Sequence, residues 1–127
     1  MGAITQFTDL EAWKTNHEVV LEIYKITKNF PPEEKFGIID QLRRAASSVT
    51  ANIAEGFGRF HYPDKIRFYY QARGSNYEVL NFLILAKDLK ILRKEDFERI
   101  SDIVLQGGRV LNGLIRATEK QRVSSDQ

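Results

Sequence analysis

The chain has 127 residues, no cysteine, and 19 lysines and arginines against 17 acidic residues. A chain this long can bury one core and fold as a single domain without disulfides or metals. The missing cysteines exclude disulfide frameworks, thiolate zinc sites and cysteine nucleophiles, and make a reducing, cytoplasmic location the expectation. A formal charge of +2 is too small to announce nucleic-acid binding by itself. No apolar run approaches the roughly 18 residues of a membrane span, and the opening MGAITQFTDLEAWK lacks a signal-peptide pattern, so no membrane association is expected.

Four stretches repeat apolar residues three and four apart, and none alternates as a half-buried strand would. The first is predicted over residues 8–29, with Thr8 as cap, Glu11 completing a capping box and Phe7 as a hydrophobic staple. Its main apolar stripe is Leu10, Trp13, Val20, Tyr24 and Thr27, with Val19, Ile23 and Ile26 beside it. Pro32 forbids continuation. The second helix, predicted over 33–55, turns Ile38, Leu42, Ala45, Val49 and Ile53 inward and is capped by a left-handed Gly56. The third, over 63–90, is the most apolar, carrying Ile66, Phe68, Tyr69, Ala72, Val79, Leu80, Phe82, Leu83, Leu85, Ala86 and Leu89, so burial on more than one side is expected.

The fourth helix, predicted over 94–119, keeps a seven-residue repeat through Phe97, Ile100, Val104, Gly107, Leu111, Leu114 and Thr118, which implies near-parallel packing at about 20°. The first residues and the tail EKQRVSSDQ are expected to fray. Connections this short force successive helices to run antiparallel. The predicted architecture is therefore all-α, a single-domain up-down-up-down four-helix bundle.

FTDLEAW, then NFPPEEKFGIIDQLRRAASSVTANIAEGFGR, then IRFYYQARGSNYEVL together resemble the bacterial four-helix-bundle proteins of the 23S rRNA intervening-sequence, or S23, family. The resemblance spans nearly the whole chain. It implies a ring-like homopentamer and kinship with the accessory proteins of diversity-generating retroelements, which bind RNA and a reverse transcriptase. The partners it implies are further copies of the chain, together with RNA or a nucleic-acid enzyme. His61 departs from the family pattern, standing where a capping Ser is commoner.

Polar residues inside the helical pattern are the candidate site. Ser48, Asn52 and Glu55 share one face of the second helix, and Ser75 and Glu78 share one face of the third. Folding the third helix back antiparallel puts Glu78 near Gln41 and Arg44, and Glu55 near Asp64 and Arg67. The two carboxylates then lie roughly 21 Å apart at 1.5 Å per residue, too far to share a metal or proton. The only histidines, His17 and His61, form no Glu-x-x-His pair. No metal, cofactor or catalytic residue is expected. Gln41, Ser48, Asn52, Glu55, Arg67, Ser75 and Glu78 are read as fastening helices or subunits, and removing one member of a buried charge pair is expected to cost about 3–5 kcal/mol.

GFGRFH follows a helix and lacks a third glycine, which excludes a dinucleotide loop. Gly107, Gly108 and Gly113 weaken the fourth helix unless backbones approach closely there, for example between subunits. Arg43, Arg44, Lys87, Lys90, Arg93 and Lys94 are the candidate phosphate contacts, a modest patch that a ring would repeat. The leading expectation is a non-catalytic homo-oligomeric scaffold that binds RNA or a nucleic-acid enzyme. The alternatives are a protein–protein adaptor without RNA affinity and a small enzyme with an intersubunit site.

Overall fold

The computed structural model describes residues 2–125. Among them there are no strands, and four helices account for most of the chain: α1 (Glu11–Thr27), α2 (Asp40–Phe57), α3 (Tyr62–Asp88) and α4 (Lys94–Ser125). Each packs on its sequence neighbours and α4 closes against α1, giving the four-helix bundle the periodicity implies. Ile23, Leu42, Ile53, Leu83, Ile100 and Leu111 are wholly enclosed at its centre. Each such side chain stabilises the fold by about 1.5–3 kcal/mol.

The start of α1 differs from its capping-box reading. Thr8 lies in a 3-10 turn, Phe7–Asp9, and the helix begins only at Glu11 behind Leu10. The organising group is Asp9, whose carboxylate accepts the backbone N–H groups of Thr5 and Gln6, each at 3.0 Å. Those two bonds hold the Asp9 carboxyl below its ordinary range. Phe7 packs edge-on against Trp13, with centroids 5.5 Å apart. The inward stripe of α1 is also shifted: Ala12, Asn16, Val19, Ile23, Ile26 and Thr27 are buried, whereas Tyr24 is exposed. An asparagine at the centre of that stripe hides it from an apolar count.

Residues 33–39 do not join α2. Pro32–Glu34 forms a 3-10 turn and Lys35–Ile39 a π turn in which Gly37 (φ −107°, ψ −114°) leaves helical geometry. The Glu34 carboxylate accepts the Ile38 N–H at 3.4 Å, and a Cβ on Gly37 would stand 2.8 Å from the same oxygen. From Asp40 onward the predicted core face is the observed one. Gly56 is a helical residue, not a left-handed cap; no glycine among the described residues has positive φ. It is needed because Tyr69 packs across it, and an added Cβ would sit 2.7 Å from the ring.

The only left-handed non-glycine residue among those described is Lys90 (φ 61°), which ends α3. There the Ile91 N–H returns to the Ala86 carbonyl at 2.9 Å. The tail does not fray where expected: α4 continues to Ser125, with Thr118 buried and Glu119 paired to Arg122 at 3.1 Å. Met1, Asp126 and Gln127, part of the segments expected to fray, lie outside the described residues. Among the described residues no helix is long and apolar enough to cross a membrane.

Candidate functional site

The predicted polar set assembles along the α2–α3 seam. Arg44 donates to Glu78 across it, and the Gln41 Oε1 accepts from the same guanidinium at 2.8 and 3.1 Å. One turn along, the Ser48 and Ser75 hydroxyls meet at 3.0 Å, and the Asn52 amide donates back to the Ser48 carbonyl at 2.9 Å and its hydroxyl at 3.1 Å. Each helix therefore presents polar atoms where the opposite helix has a partner. Glu55 stands apart: its carboxylate is 3.7 Å from Arg59, in the connection just after α2. Arg67 is 4.0 Å from Asp64 instead, so it is not the cation of Glu55. The two arginines do converge, stacking on Phe68 with their guanidinium carbons 4.7 and 4.5 Å from the ring centroid.

The predicted phosphate contacts are mostly engaged within the chain. Arg43 donates to the Thr27 hydroxyl at 2.9 Å and covers the Tyr24 ring at 4.6 Å. Lys87 lies 4.4 Å over Phe97 and 3.8 Å from Asp88. Arg93 pairs with Asp96 at 3.5 Å, and Lys94 with Glu98 at 3.9 Å. The α3–α4 connection is thus a mixed-charge surface, in which the acids of the first α4 turn suit the positive end of the helix dipole. Arg99 on α4 is likewise bound to Glu22 of α1 at 2.7 Å, which lifts its pKa further.

Two residues that the helical pattern did not single out make the deepest polar contact. Asn16 of α1 donates to the Ala12 carbonyl at 2.7 Å and to the Gly107 carbonyl of α4 at 3.2 Å. Asn76 of α3 donates to the Asn16 Oδ1 at 3.2 Å and to the Val104 carbonyl at 3.1 Å. A Cβ at Gly107 would lie 2.5 Å from the Asn16 oxygen, and one at Gly108 would lie 3.1 Å from the Asn76 oxygen. Gly107 and Gly108 thus serve close packing within the chain. Gly113 meets nothing nearer than the Arg116 tip, at 3.9 Å. Paired glycines on α4 were the sequence signal; their asparagine partners carried none.

Among the described residues no three His, Asp or Glu side chains converge as metal ligands would. A cleft of about 400 Å³ beneath the α3–α4 connection is lined by Asn29, Phe30, Ile91 and the Arg93–Asp96 pair, and its carboxylate is held by Arg93 at 3.5 Å and Arg99 at 3.4 Å. Large apolar side chains, by contrast, stand in solvent: Phe36 (87 % exposed), Phe60 (89 %), Tyr77 (64 %) and Leu89 (56 %), with Tyr70, Ile84, Leu85 and Leu105 near two-fifths.

No curated protein matches the chain significantly. Among solved structures, a protein of unknown function from the S23 ribosomal protein family of Bacteroides thetaiotaomicron superposes with a TM-score of 0.73, at 22% identity, covering 82% of this chain and 97% of that one. At that identity the likeness speaks for the fold. The sequence model of the 23S rRNA-intervening sequence proteins matches residues 8–113, which takes in all of α1, α2 and α3 and most of α4. The chain belongs to the 23S rRNA-intervening sequence protein family.

Proposed function

We propose that the protein is a non-catalytic, self-associating scaffold, a closed homo-oligomer of five copies whose outer surfaces hold a protein partner. The observation that carries this reading is the apolar character of α3 beyond its core face. Leu85 and Leu89 stand exposed on one flank and Tyr70, Tyr77 and Ile84 on another, more than one bundle needs. The count of five rests on the family resemblance. RNA as partner draws less support, because the Lys87–Lys94 cluster is offset by Asp88, Asp96 and Glu98.

Sedimentation equilibrium at micromolar concentration tests the assembly: a mass near five times that of the chain is expected, and a monomer at every accessible concentration would sink the reading. Leu85→Glu with Leu89→Glu should dissociate the oligomer while leaving the helical circular dichroism intact. For RNA, a salt titration with the parent and with Lys87, Lys90, Arg93 and Lys94 changed to Gln separates the partners. Binding that weakens steeply with salt, and only in the parent, would restore the RNA reading.

A further inference from the structure

Six of the ten arginines, Arg44, Arg59, Arg67, Arg93, Arg99 and Arg122, have a carboxylate within 4.0 Å. Arg43 is tied to Thr27. The remaining three, Arg73, Arg109 and Arg116, have no carboxylate partner among the described residues. They fall on one face: Arg73 and Arg109 line the same groove between α3 and α4, and Arg116 lies two turns beyond Arg109 on the same side of α4. The groove also holds Tyr77 and Leu105 and has a volume of about 180 Å³. Along α3, Tyr70, Tyr77 and Ile84 recur every seven residues, which is the spacing of a seam that another helix packs into.

We propose that this α3–α4 face docks an amphipathic helix of another protein that carries carboxylates beside its apolar seam. The seven-residue repeat calls for a helix, because an extended chain reads a period of two. Arg73 meets only the Asn112 amide oxygen at 3.4 Å and the Tyr70 ring, and Arg109 the Gln106 amide oxygen at 2.9 Å, so neutral partners leave their charge uncompensated beside an apolar rail. That calls for acids, and tyrosine with arginine is the composition of binding hot spots. RNA fits less well. Ile84 and Leu105 offer no π face, and the Tyr70 ring is already covered by Arg73 at 4.6 Å.

A second copy also fits poorly. The acids without a cation on the α1 and α4 surfaces, Glu18, Glu95 and Asp102, lie nearer the other end of α4, roughly ten residues or about 15 Å along the axis from the arginines. A copy related by rotation about an axis parallel to the bundle would not bring them into register. The proposal names the partner in the scaffold reading, yet it stands whether or not the chain self-associates.

The probe is a fluorescent 21-residue helical peptide with leucine on a heptad seam and glutamate beside it, tested by anisotropy on the full chain. A lysine-for-glutamate sibling and a 12-nucleotide oligouridylate are measured alongside. The acidic peptide should bind, at least tenfold more tightly than the basic one. Arg73→Gln, Arg109→Gln and Arg116→Gln together should weaken it at least tenfold, and Tyr77→Ala at least threefold. Lys87→Gln, Arg93→Gln and Lys94→Gln together should change nothing.

Amide chemical-shift mapping of the parent needs no variant and should place the peptide along Tyr77 and Leu105. No binding, equal binding of both peptides, equal loss in both triple variants, or mapping elsewhere would overturn the proposal. So would an oligouridylate that displaces the peptide from this face. An oligomer that dissociates in the Arg73/Arg109/Arg116 variant would make the face a contact between copies, which also overturns it. A monomeric parent that still binds the peptide would sink the self-association reading alone.

Discussion

Asn16 and Asn76 cross between α1, α3 and α4 with 1% and 7% of their surface exposed, whereas Arg44 and Glu78 cross between α2 and α3 with 49% and 36% of their side chains in water. Both crossings join residues far apart in sequence, and both satisfy their polar atoms. Their energetic meaning differs because the unmade bond differs. An amide stripped of its partner inside the bundle stays dry, while a carboxylate stripped of its arginine at the seam is rehydrated. The neutral pair is therefore expected to hold helix register more firmly than the charged one.

The strongest way to break this comparison is Asn16→Ala, which leaves the Gly107 carbonyl and one Asn76 contact unmade and opens a void. It should lower stability by about 2–4 kcal/mol in urea unfolding. Gly107→Ala pushes a methyl to 2.5 Å from the Asn16 oxygen. It should cost about 1–3 kcal/mol from overpacking, offset by about 1 kcal/mol of gained helix propensity. Combined, the two changes relieve one another, since the methyl enters the space the amide vacated. The double variant should be less destabilised than the sum by about 1 kcal/mol or more. Strict additivity would mean that glycine and asparagine are not one unit.

The α2–α3 seam is not uniformly wet, and Tyr69 sharpens the contrast from within it. Packed across Gly56 and only 2% exposed, its phenol has its pKa raised by burial to about 12 from an ordinary 10.0. The unfolded phenol ionises first, so the contribution is whole below pH 10 and is lost as pH rises toward 12. Over that window the parent should lose up to about 2–3 kcal/mol that Tyr69→Phe does not lose. Identical pH profiles for parent and variant would show that this end of the seam is open to water.

The same contrast explains what was legible in the sequence. On α2 and the turn before it the core face reads directly, because Ile38, Leu42, Ala45, Val49 and Ile53 are all apolar and all buried. On α1 the eye follows Trp13 and Tyr24, whose large rings have exposed or half-exposed places, while the true stripe passes through Asn16. Asparagine is ordinarily a surface residue, so burial by mutual pairing leaves no trace in periodicity. Gly107 and Gly108 did announce a close approach, without saying to what. The Arg44 and Glu78 side chains were legible as neighbours because antiparallel register follows from short connections. Their exposure was not, since it depends on how the seam opens to solvent.

Exposure also revises the expected cost of losing the seam's charges. Glu78→Ala frees Arg44 into water instead of stranding it, so the loss should be about 1 kcal/mol or less, well below the 3–5 kcal/mol of a buried pair. Raising salt to 1 M should remove most of the difference between parent and variant in urea unfolding, because an exposed pair is screened. A salt-independent loss of 3 kcal/mol or more would show that the pair is dry, either in the chain itself or beneath another copy. Repeating the experiment over a range of protein concentrations, with the mass measured at each, distinguishes those two.

The smallest effect is expected at Glu55. Its carboxylate lies in the last turn of α2, where the helix dipole opposes negative charge, and its ion pair with Arg59 is open to water, with side chains 55% and 42% exposed. The unfavourable dipole and the weak pair nearly cancel. Arg59 meanwhile keeps its stacking on Phe68, which does not need the acid. Glu55→Gln should therefore change the urea midpoint by less than about 0.5 kcal/mol in either direction, within the range of an ordinary surface substitution. A larger loss that appears only in the assembled protein would place Glu55 against another copy. A larger loss in the monomer would mean that Glu55 tethers the Arg59–Phe68–Arg67 stack, and that this seam relies on its charges more than their exposure implies.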